Sequence, residues 1–370
     1  MAPPVDTVSQ KGSRMPQQTR ERILVSVAIP AHNAGRTLGD TLHSVLAQTH
    51  PTLDVVVVDD GSTDDTAEVA ASFGERVRLI RQANAGISRA RNASLQAARG
   101  EFIALLDADD LCEPERIAVQ LKFLLERPGL LLCSSDFSGF DHSGELARSY
   151  CGHYYSRCSA AQGGPQARYR EHGELDISDC LPQGVSPPAH VPILLGDVYD
   201  EIVLGNFIHP PTVMFRREAL RQAGLFDPEF RIGCEWEWLV RVARAGPVGY
   251  IDRPLLRYRR SPTQVTHHPQ TALDALHVAQ LIHRRDPAIR RRAPVAVRRH
   301  LGNLHLDAAY ALSETQPASA LRLLAASVWC YRTVERASLA TLLRATLPSP
   351  VARMLRHTRA RMRRNPSAAS

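Results

Sequence analysis

Three polar clusters stand out because each follows a run of aliphatic residues: PAHN at Pro30–Asn33, DDGSTDD at Asp59–Asp65 and DADD at Asp107–Asp110. Carboxylates crowded together repel one another unless positive charge sits among them. A hard divalent cation, Mn²⁺ or Mg²⁺, prefers oxygen ligands and resolves that repulsion. Asp107 and Asp109, two residues apart, can turn oxygens to one ion, which would also bridge phosphate oxygens and neutralise charge on a departing diphosphate. An isolated Asp-x-Asp after a strand is more often a turn or helix cap, and Asp110, shortly before Pro114, fits that plainer role. Asp59 and Asp60 have another opportunity, since a carboxylate at a strand end accepts hydrogen bonds from a base N–H or from ribose hydroxyls. Gly61 permits a tight exit, Ser62 with Asp65 has the form of a capping box, and Asp64 and Asp65 suit a helix dipole.

These clusters need a frame that brings them to one edge. The runs at Leu24–Ile29, Asp54–Val58, Val77–Ile80, Phe102–Leu106 and Leu130–Ser134 are nearly continuous in Val, Ile and Leu, as in parallel strands buried on both faces. Helical patterns at about Leu38–Gln48, Asp64–Phe73, Ile87–Ala98 and Pro114–Glu126 separate them. Such alternation predicts a right-handed open α/β sheet, with ligands beyond the carboxyl ends of its strands. Gly139 to Pro192 lacks periodicity and reads as a variable functional insertion. Beyond it we expect a strand at Thr212–Phe215, helices at Glu218–Ala223 and Glu235–Ala245, a short strand at VGYI, and a loop over Leu256–His268 that closes back on the sheet. From about Thr271 the chain reads as helical, with Leu304, Ala308 and Leu312 on one face and Leu321, Leu324 and Val328 on another. A last, arginine-crowded helix is expected after Pro350.

The 370 residues are 44% hydrophobic, enough for a substantial core. No run of about 18 apolar residues predicts a membrane-spanning helix. The first twenty residues lack an apolar stretch, so a disordered polar leader over 1–21 is expected rather than a secretory signal. Seven cysteines, thinly spread, suit reduced thiols in the cytosol. Cys151, His153 and Cys158 fit no common zinc spacing. The net charge of +7 is uneven: 281–370 carries 17 Arg against four acids, leaving the rest of the chain acidic. That basic end suits nucleic acid, an anionic membrane or a solvated helix face.

VSVAIPAHNAGRTLGDTLHSVLAQTHPTLDVVVVDDGSTDDTAEVA, followed by NAGISRARNASLQAARGEFIALLDADD, resembles the family 2 glycosyltransferases in order, spacing and composition. The resemblance covers Leu24 to about Glu126 and His209 to about Tyr258. It implies a GT-A fold over 22–268, an open and mostly parallel sheet flanked by helices, with 139–192 as the acceptor-side insertion and 269–370 as a basic helical extension. It implies that Asp59, with Asp60 beside it, contacts the donor nucleoside, that Pro30, Ala31 and Asn33 line the same pocket, and that Asp107 and Asp109, with Ala108 between them, hold metal and diphosphate. Arg91 and Asn92 correspond to the family's Arg-Asn, and a helix start at Gly86–Ser88 suits the donor side. The family's base lies in a Glu-Asp pair opening a late helix. The matching positions are Cys234 and Glu235, so Glu235 is the expected base, with a thiol replacing the first acid. It would deprotonate an acceptor hydroxyl for in-line, inverting attack on the anomeric carbon. Trp236 and Trp238 read either as a sugar-stacking face or as core. His267 and His268 fall where such enzymes supply a late metal or diphosphate contact, and His32 and His209 are near the cleft by position.

The function this implies is a metal-dependent transfer of a hexosyl group from a nucleoside diphosphate sugar to a carbohydrate or lipid-linked acceptor, in cell-surface polysaccharide or glycan assembly. The expected setting is cytoplasmic, at the inner membrane face where the basic helices make peripheral contact, with no nucleic-acid partner. Two alternatives stand beside it. Cys234 motivates a transferase-like scaffold without activity, which Asp59, Asp107, Asp109 and Glu235 argue against. A nucleotidyltransferase would want a Gly-rich phosphate loop after the first strand, and a dehydrogenase a G-x-G-x-x-G that is absent.

Overall fold

Val25–Ala31 (β1) and Leu53–Asp60 (β2) are buried along nearly their whole length, as their aliphatic runs require. The computed structural model describes residues 15–184, 188–230, 233–261 and 270–346. The remaining strands are β3 Val77–Gln82, β4 Phe102–Leu105, β5 Leu111–Cys112, β6 Leu132–Asp141, β7 Gly144–Ala147, β8 Glu171–Asp176, β9 His190–Gly196, β10 Met214–Arg216 and β11 Val248–Arg259. The helices of the same unit, Met1–Pro262, are α1 Gln17–Arg20, α2 Gly35–Leu46, α3 Thr66–Ala71, α4 Ile87–Ala97, α5 Arg116–Glu126, α6 Cys151–Tyr154, α7 Tyr199–Ile202, α8 Arg217–Ala223 and α9 Cys234–Ala245.

The sheet runs β3-β2-β1-β4-β10-β6-β11-β9-β8, with β5 on β11 and β7 on β6. Strands β3, β2, β1 and β4 are mutually parallel, β10 is antiparallel to both neighbours, and β6 and β11 are parallel. Strand order turns back between β1 and β4, and the crevice over such a reversal is where an open α/β sheet receives its ligand. The register puts Ala31 opposite Asp59 and Ala28 opposite Leu105. The three polar clusters therefore emerge side by side.

The opposite, amino-terminal edge is held by Asp54. Its carboxylate accepts from Ser26 Oγ at 2.6 Å, from Arg78 at 2.8 and 3.1 Å, and from the Arg99 amide at 2.9 Å. Burial pushes this acid up, yet those donors hold it below the usual carboxylate range.

Four expectations need correction. The capping box does not form: Asp65 is the residue before α3, and Ser62 Oγ instead accepts from the Asn33 amide at 2.9 Å, because the loop leans across to β1. The leader is not wholly unstructured. Residues 1–14 lie outside the described residues, but α1 buries Arg20, which pairs with Asp179 at 2.9 Å. The 139–192 segment holds β7, β8 and the start of β9, and the β8–β9 hairpin extends the sheet. Its periodicity is faint because β8 exposes much of its length. Leu256–Arg259, expected as loop, continues β11, and 262–269 lie outside the described residues.

The second unit, Thr263–Ser370, contains α10 Gln270–Arg285, α11 Pro287–Arg292, α12 Pro294–Leu312, α13 Pro317–Ala325 and α14 Arg336–Thr346. Leu306, Ala309 and Leu324 form a small core there, with Leu323 and Val328 packed against it. The helix expected after Pro350 lies outside the described residues.

Candidate functional site

Asp59 ends β2 with its carboxylate buried. Oδ1 accepts from the Ser62 amide at 3.0 Å, while Oδ2 accepts no hydrogen bond among the described residues and lies 3.5 Å from Arg81 Nε. A buried acceptor without a donor costs free energy until an N–H or O–H arrives, which suits a base or ribose group. Gly61 makes this corner possible: φ is 69°, and a Cβ there would stand 2.6 Å from the Asn84 amide nitrogen.

Asp60, expected on the same ligand, is otherwise engaged. Oδ1 accepts from Gln82 Nε2 at 2.7 Å and the Ala85 amide at 2.9 Å, and Oδ2 from the Gly86 amide at 2.8 Å. It ties down the loop that leads into α4. Asn33 is likewise structural at its oxygen, which accepts from the Thr63 amide at 2.9 Å. Pro30 and Ala31 complete β1 beside Asp59. His32 Nδ1 lies 2.9 Å from the Asp60 carbonyl.

The third cluster follows β4. The carbonyl of Ala108 accepts from Thr37 Oγ1 at 2.9 Å and Thr41 Oγ1 at 3.1 Å, so α2 fixes the turn between the two acids. Asp109 is pushed up to about 6 by burial and by Asp107. Asp110 is pushed well above the ordinary range by burial and by both neighbours. Its Oδ1 accepts from the Arg259 amide at 2.9 Å, so it anchors the end of β11. Arg259 also donates to the Asp109 carbonyl at 2.9 Å and to Asp40 at 3.1 Å.

The residue that organises the centre is Arg91 on α4. It is buried, donates to Asp107 Oδ1 at 2.9 Å, and pairs with Glu235 at the start of α9. Burial disfavours its charge, but Glu235 and Asp107 more than reverse that. Glu235 in turn feels burial first and the Arg91 guanidinium second, and ends below the ordinary range, held ionised. Cys234 is fully buried with Sγ 3.8 Å from Arg91, and burial pushes its thiol up to about 12, so it is a neutral neighbour. Asn92, next to Arg91, exchanges hydrogen bonds with Phe226 at 2.8 and 2.9 Å and fastens α4 to the loop before α9.

The tryptophans correct the stacking expectation. Both are buried, with Trp236 Nε1 donating to the Ile202 carbonyl at 2.7 Å and Trp238 Nε1 to the Gly224 carbonyl at 2.8 Å. Trp238 packs on Phe215 and Phe226. The aromatic surface near the acids comes from elsewhere: Phe137, Tyr154, Tyr258 and His209, with His209 stacked on Phe137 at 4.2 Å. Burial and the nearby Arg91 and Arg116 bring His209 down to about 3, so it is neutral, and among the described residues its buried Nε2 has no hydrogen-bond partner. Tyr154 and Tyr155 lie in the aperiodic insertion, where spacing gave no signal. His267 and His268 lie outside the described residues.

Asp59, Asp107, Asp109, Arg91 and Glu235 thus share one edge. Residues 26–167 match glycosyl transferase family 2. They belong to that family.

TuaG of Bacillus subtilis (strain 168), named as a teichuronic acid biosynthesis glycosyltransferase, is 37% identical over 126 residues, 33% of this chain and 48% of that one. The uncharacterised glycosyltransferase YibD of Escherichia coli (strain K12) is 33% identical over 188 residues, 49% of this chain and 50% of that one. The matches span about half the length of these curated relatives. Among solved structures, Staphylococcus aureus TarS has a TM-score of 0.52 at 17% identity, covering 90% of this chain and 53% of that one. The mannosyltransferase PcManGT from Pyrobaculum calidifontis, solved with GDP-Man and Mn²⁺, has a TM-score of 0.52 at 20% identity, covering 100% and 92%. The fold is the GT-A type that the sequence led us to expect.

Proposed function

We propose that this chain transfers a sugar, with inversion, from a nucleoside diphosphate donor to a hydroxyl of a carbohydrate or lipid-linked acceptor in cell-surface glycan assembly. The carrying observation is the Asp107–Arg91–Glu235 chain of charge at the sheet's reversal point. It supports the reading in which the ionised Glu235 would act as base beside the acids that would face the diphosphate. Asp59 would receive the nucleoside through Oδ2, which accepts no hydrogen bond among the described residues.

Asp107 and Asp109 fit a divalent ion by chemistry. Their oxygens are hard, and the burial and the repulsion by Asp107 that together raise Asp109 are what a cation relieves. Among the described residues no three His, Cys, Asp or Glu side chains gather into a ligand set. One or two carboxylates, with substrate phosphates completing the shell, is the ordinary arrangement for Mg²⁺. When bound, Mn²⁺ or Mg²⁺ would neutralise charge on the diphosphate.

In the transfer, Glu235 takes the proton of the acceptor hydroxyl, and the hydroxyl oxygen forms the new bond to the anomeric carbon. The bond from that carbon to the diphosphate breaks, and its electron pair leaves with the diphosphate. Arg91 orients the base, and the buried aromatic wall excludes water. The peripheral membrane contact expected from the basic C-terminal part belongs with a lipid-linked acceptor.

A thermal-shift screen of UDP, GDP, dTDP and CDP with and without Mn²⁺ tests this, since a ligand of the native state raises Tm. We expect one nucleotide to stabilise the protein only with metal, and Asp109→Asn to abolish the effect. No shift from any nucleotide with metal present would put the inactive scaffold ahead.

A further inference from the structure

Helix α14 is built the wrong way round for a helix packed on its neighbours in water. Its polar Ser338 and Thr341 are turned inward, 8% and 0% exposed, while Leu339, Leu342 and Leu343 stand 61%, 42% and 42% exposed. The spacing i, i+3, i+4 places the three leucines on one face, and Ser338 and Thr341 share another. The inward hydroxyls are satisfied locally, Thr341 Oγ1 donating to the Ala337 carbonyl at 2.8 Å and Ser338 Oγ accepting from the Glu335 amide at 3.1 Å. The segment leading into the helix repeats the pattern, with Trp329 80% and Val334 74% exposed. Single exposed apolar side chains are ordinary, but five within 15 residues, with a tryptophan among them, form an interaction surface.

The charge that the sequence carries in this part of the chain selects the occupant. Residues 332–370 carry nine arginines and one acid, Glu335. A second copy docking by the same face would bring two strongly basic segments together, and like charges set against each other oppose association. An anionic lipid surface reverses that sign and adds favourable attraction for each arginine near the headgroups. Indole rings settle at the headgroup level, and leucines enter the acyl boundary. No helix among the described residues is long and apolar enough to cross a membrane, so contact of this kind lies on the surface.

We propose that Trp329, Val334 and the Leu339–Leu342–Leu343 face of α14 form a membrane-docking surface for anionic lipid. The inference takes from the proposed function only the idea of a lipid-linked acceptor, and it assigns the contact to residues the basic tail alone did not indicate.

The protein reports on itself here. Of its three tryptophans, Trp236 and Trp238 are buried, so a shift of emission on binding comes from Trp329. The full chain is mixed with phosphatidylcholine vesicles containing phosphatidylglycerol, and with vesicles of phosphatidylcholine alone. We expect flotation and a blue shift with the anionic vesicles only, weakened by salt. Leu339→Glu with Leu343→Glu should reduce flotation at least about 10-fold, in line with the loss of two buried apolar side chains. Trp329→Ser, at a position too exposed to matter for folding, should weaken flotation and remove the shift. Circular dichroism and the nucleotide-dependent Tm shift are measured on the same samples. Loss of flotation with that Tm shift intact supports the docking surface, and its supporting outcome does not depend on which nucleotide binds. Wild-type protein that stays unfloated at low salt overturns it. So does vesicle binding unchanged in the leucine variant, particularly if sedimentation shows that those substitutions instead dissociate a dimer.

Discussion

The two edges of the central sheet treat buried acids in opposite ways. At the amino-terminal edge Asp54 has a donor for each oxygen and is held below the ordinary carboxylate range. At the carboxyl-terminal edge Asp109 and Asp110 crowd Asp107 and are driven up. The first arrangement stabilises the fold, and the second leaves buried, mutually repelling carboxylates that a proton or a cation would relieve. An edge that is fully satisfied has nothing left to offer a ligand.

The largest way to sharpen this contrast is at the base. Glu235→Gln should lower turnover about 10³-fold with the nucleotide chosen by the screen, while the nucleotide-dependent Tm shift persists. An equal loss of both would move Glu235 from chemistry to binding. At the other edge, Asp54→Asn should cost about 2–3 kcal/mol in urea unfolding and leave nucleotide affinity unchanged, because buried donors lose their acceptor. If affinity fell as well, the two edges would not be independent.

Next comes the pair at the end of β2. Asp60→Asn should cost about 1–2 kcal/mol of stability by loosening Ala85 and Gly86. Asp59→Asn should weaken nucleotide binding about 10-fold and cost less stability than Asp60→Asn, since the protein gives it one hydrogen-bond donor and a 3.5 Å ion pair with the exposed Arg81 where Asp60 has three donors. Exchange of those two outcomes would reverse the roles given to the neighbours.

The smallest effect concerns pH. Asp54 contributes stability that is present above its unfolded pKa and lost as pH falls through the lower folded value. Asp109 works in the other sense. With its folded value at about 6 against 3.8 for the free group, the native state binds the extra proton between them, and stability falls as pH rises through that window. Asp109→Asn should therefore gain about 1 kcal/mol in metal-free buffer at pH 8 and nothing at pH 3. Mn²⁺ should raise the Tm of the unsubstituted chain more at pH 8 than at pH 5.

Much of this edge was legible in the sequence. The strand runs VSVAI, DVVVV and FIAL are continuous because both faces are covered, and each ends on the polar residues that reach the crevice. What was hidden depended on partners distant in the chain. Asp60 looks like Asp59 until the loop at Ala85 and Gly86 closes on it. Trp236 and Trp238 read equally as stacking surface or core until Ile202 and Gly224 supply their acceptors. The aromatic wall draws on an insertion with no period to read, and α14 shows its inversion only once exposure is known.

Arg91 bridges Asp107 to Glu235, which lies 144 residues beyond the arginine itself, and so makes the two acids arithmetically inseparable. A double-mutant cycle on Asp107 and Glu235 will not add up, because removing either acid leaves the other with an undivided guanidinium. Kinetic losses from the two single variants cannot then be summed as independent contributions of two residues. The number that describes this centre is an interaction energy, and it belongs to three residues at once.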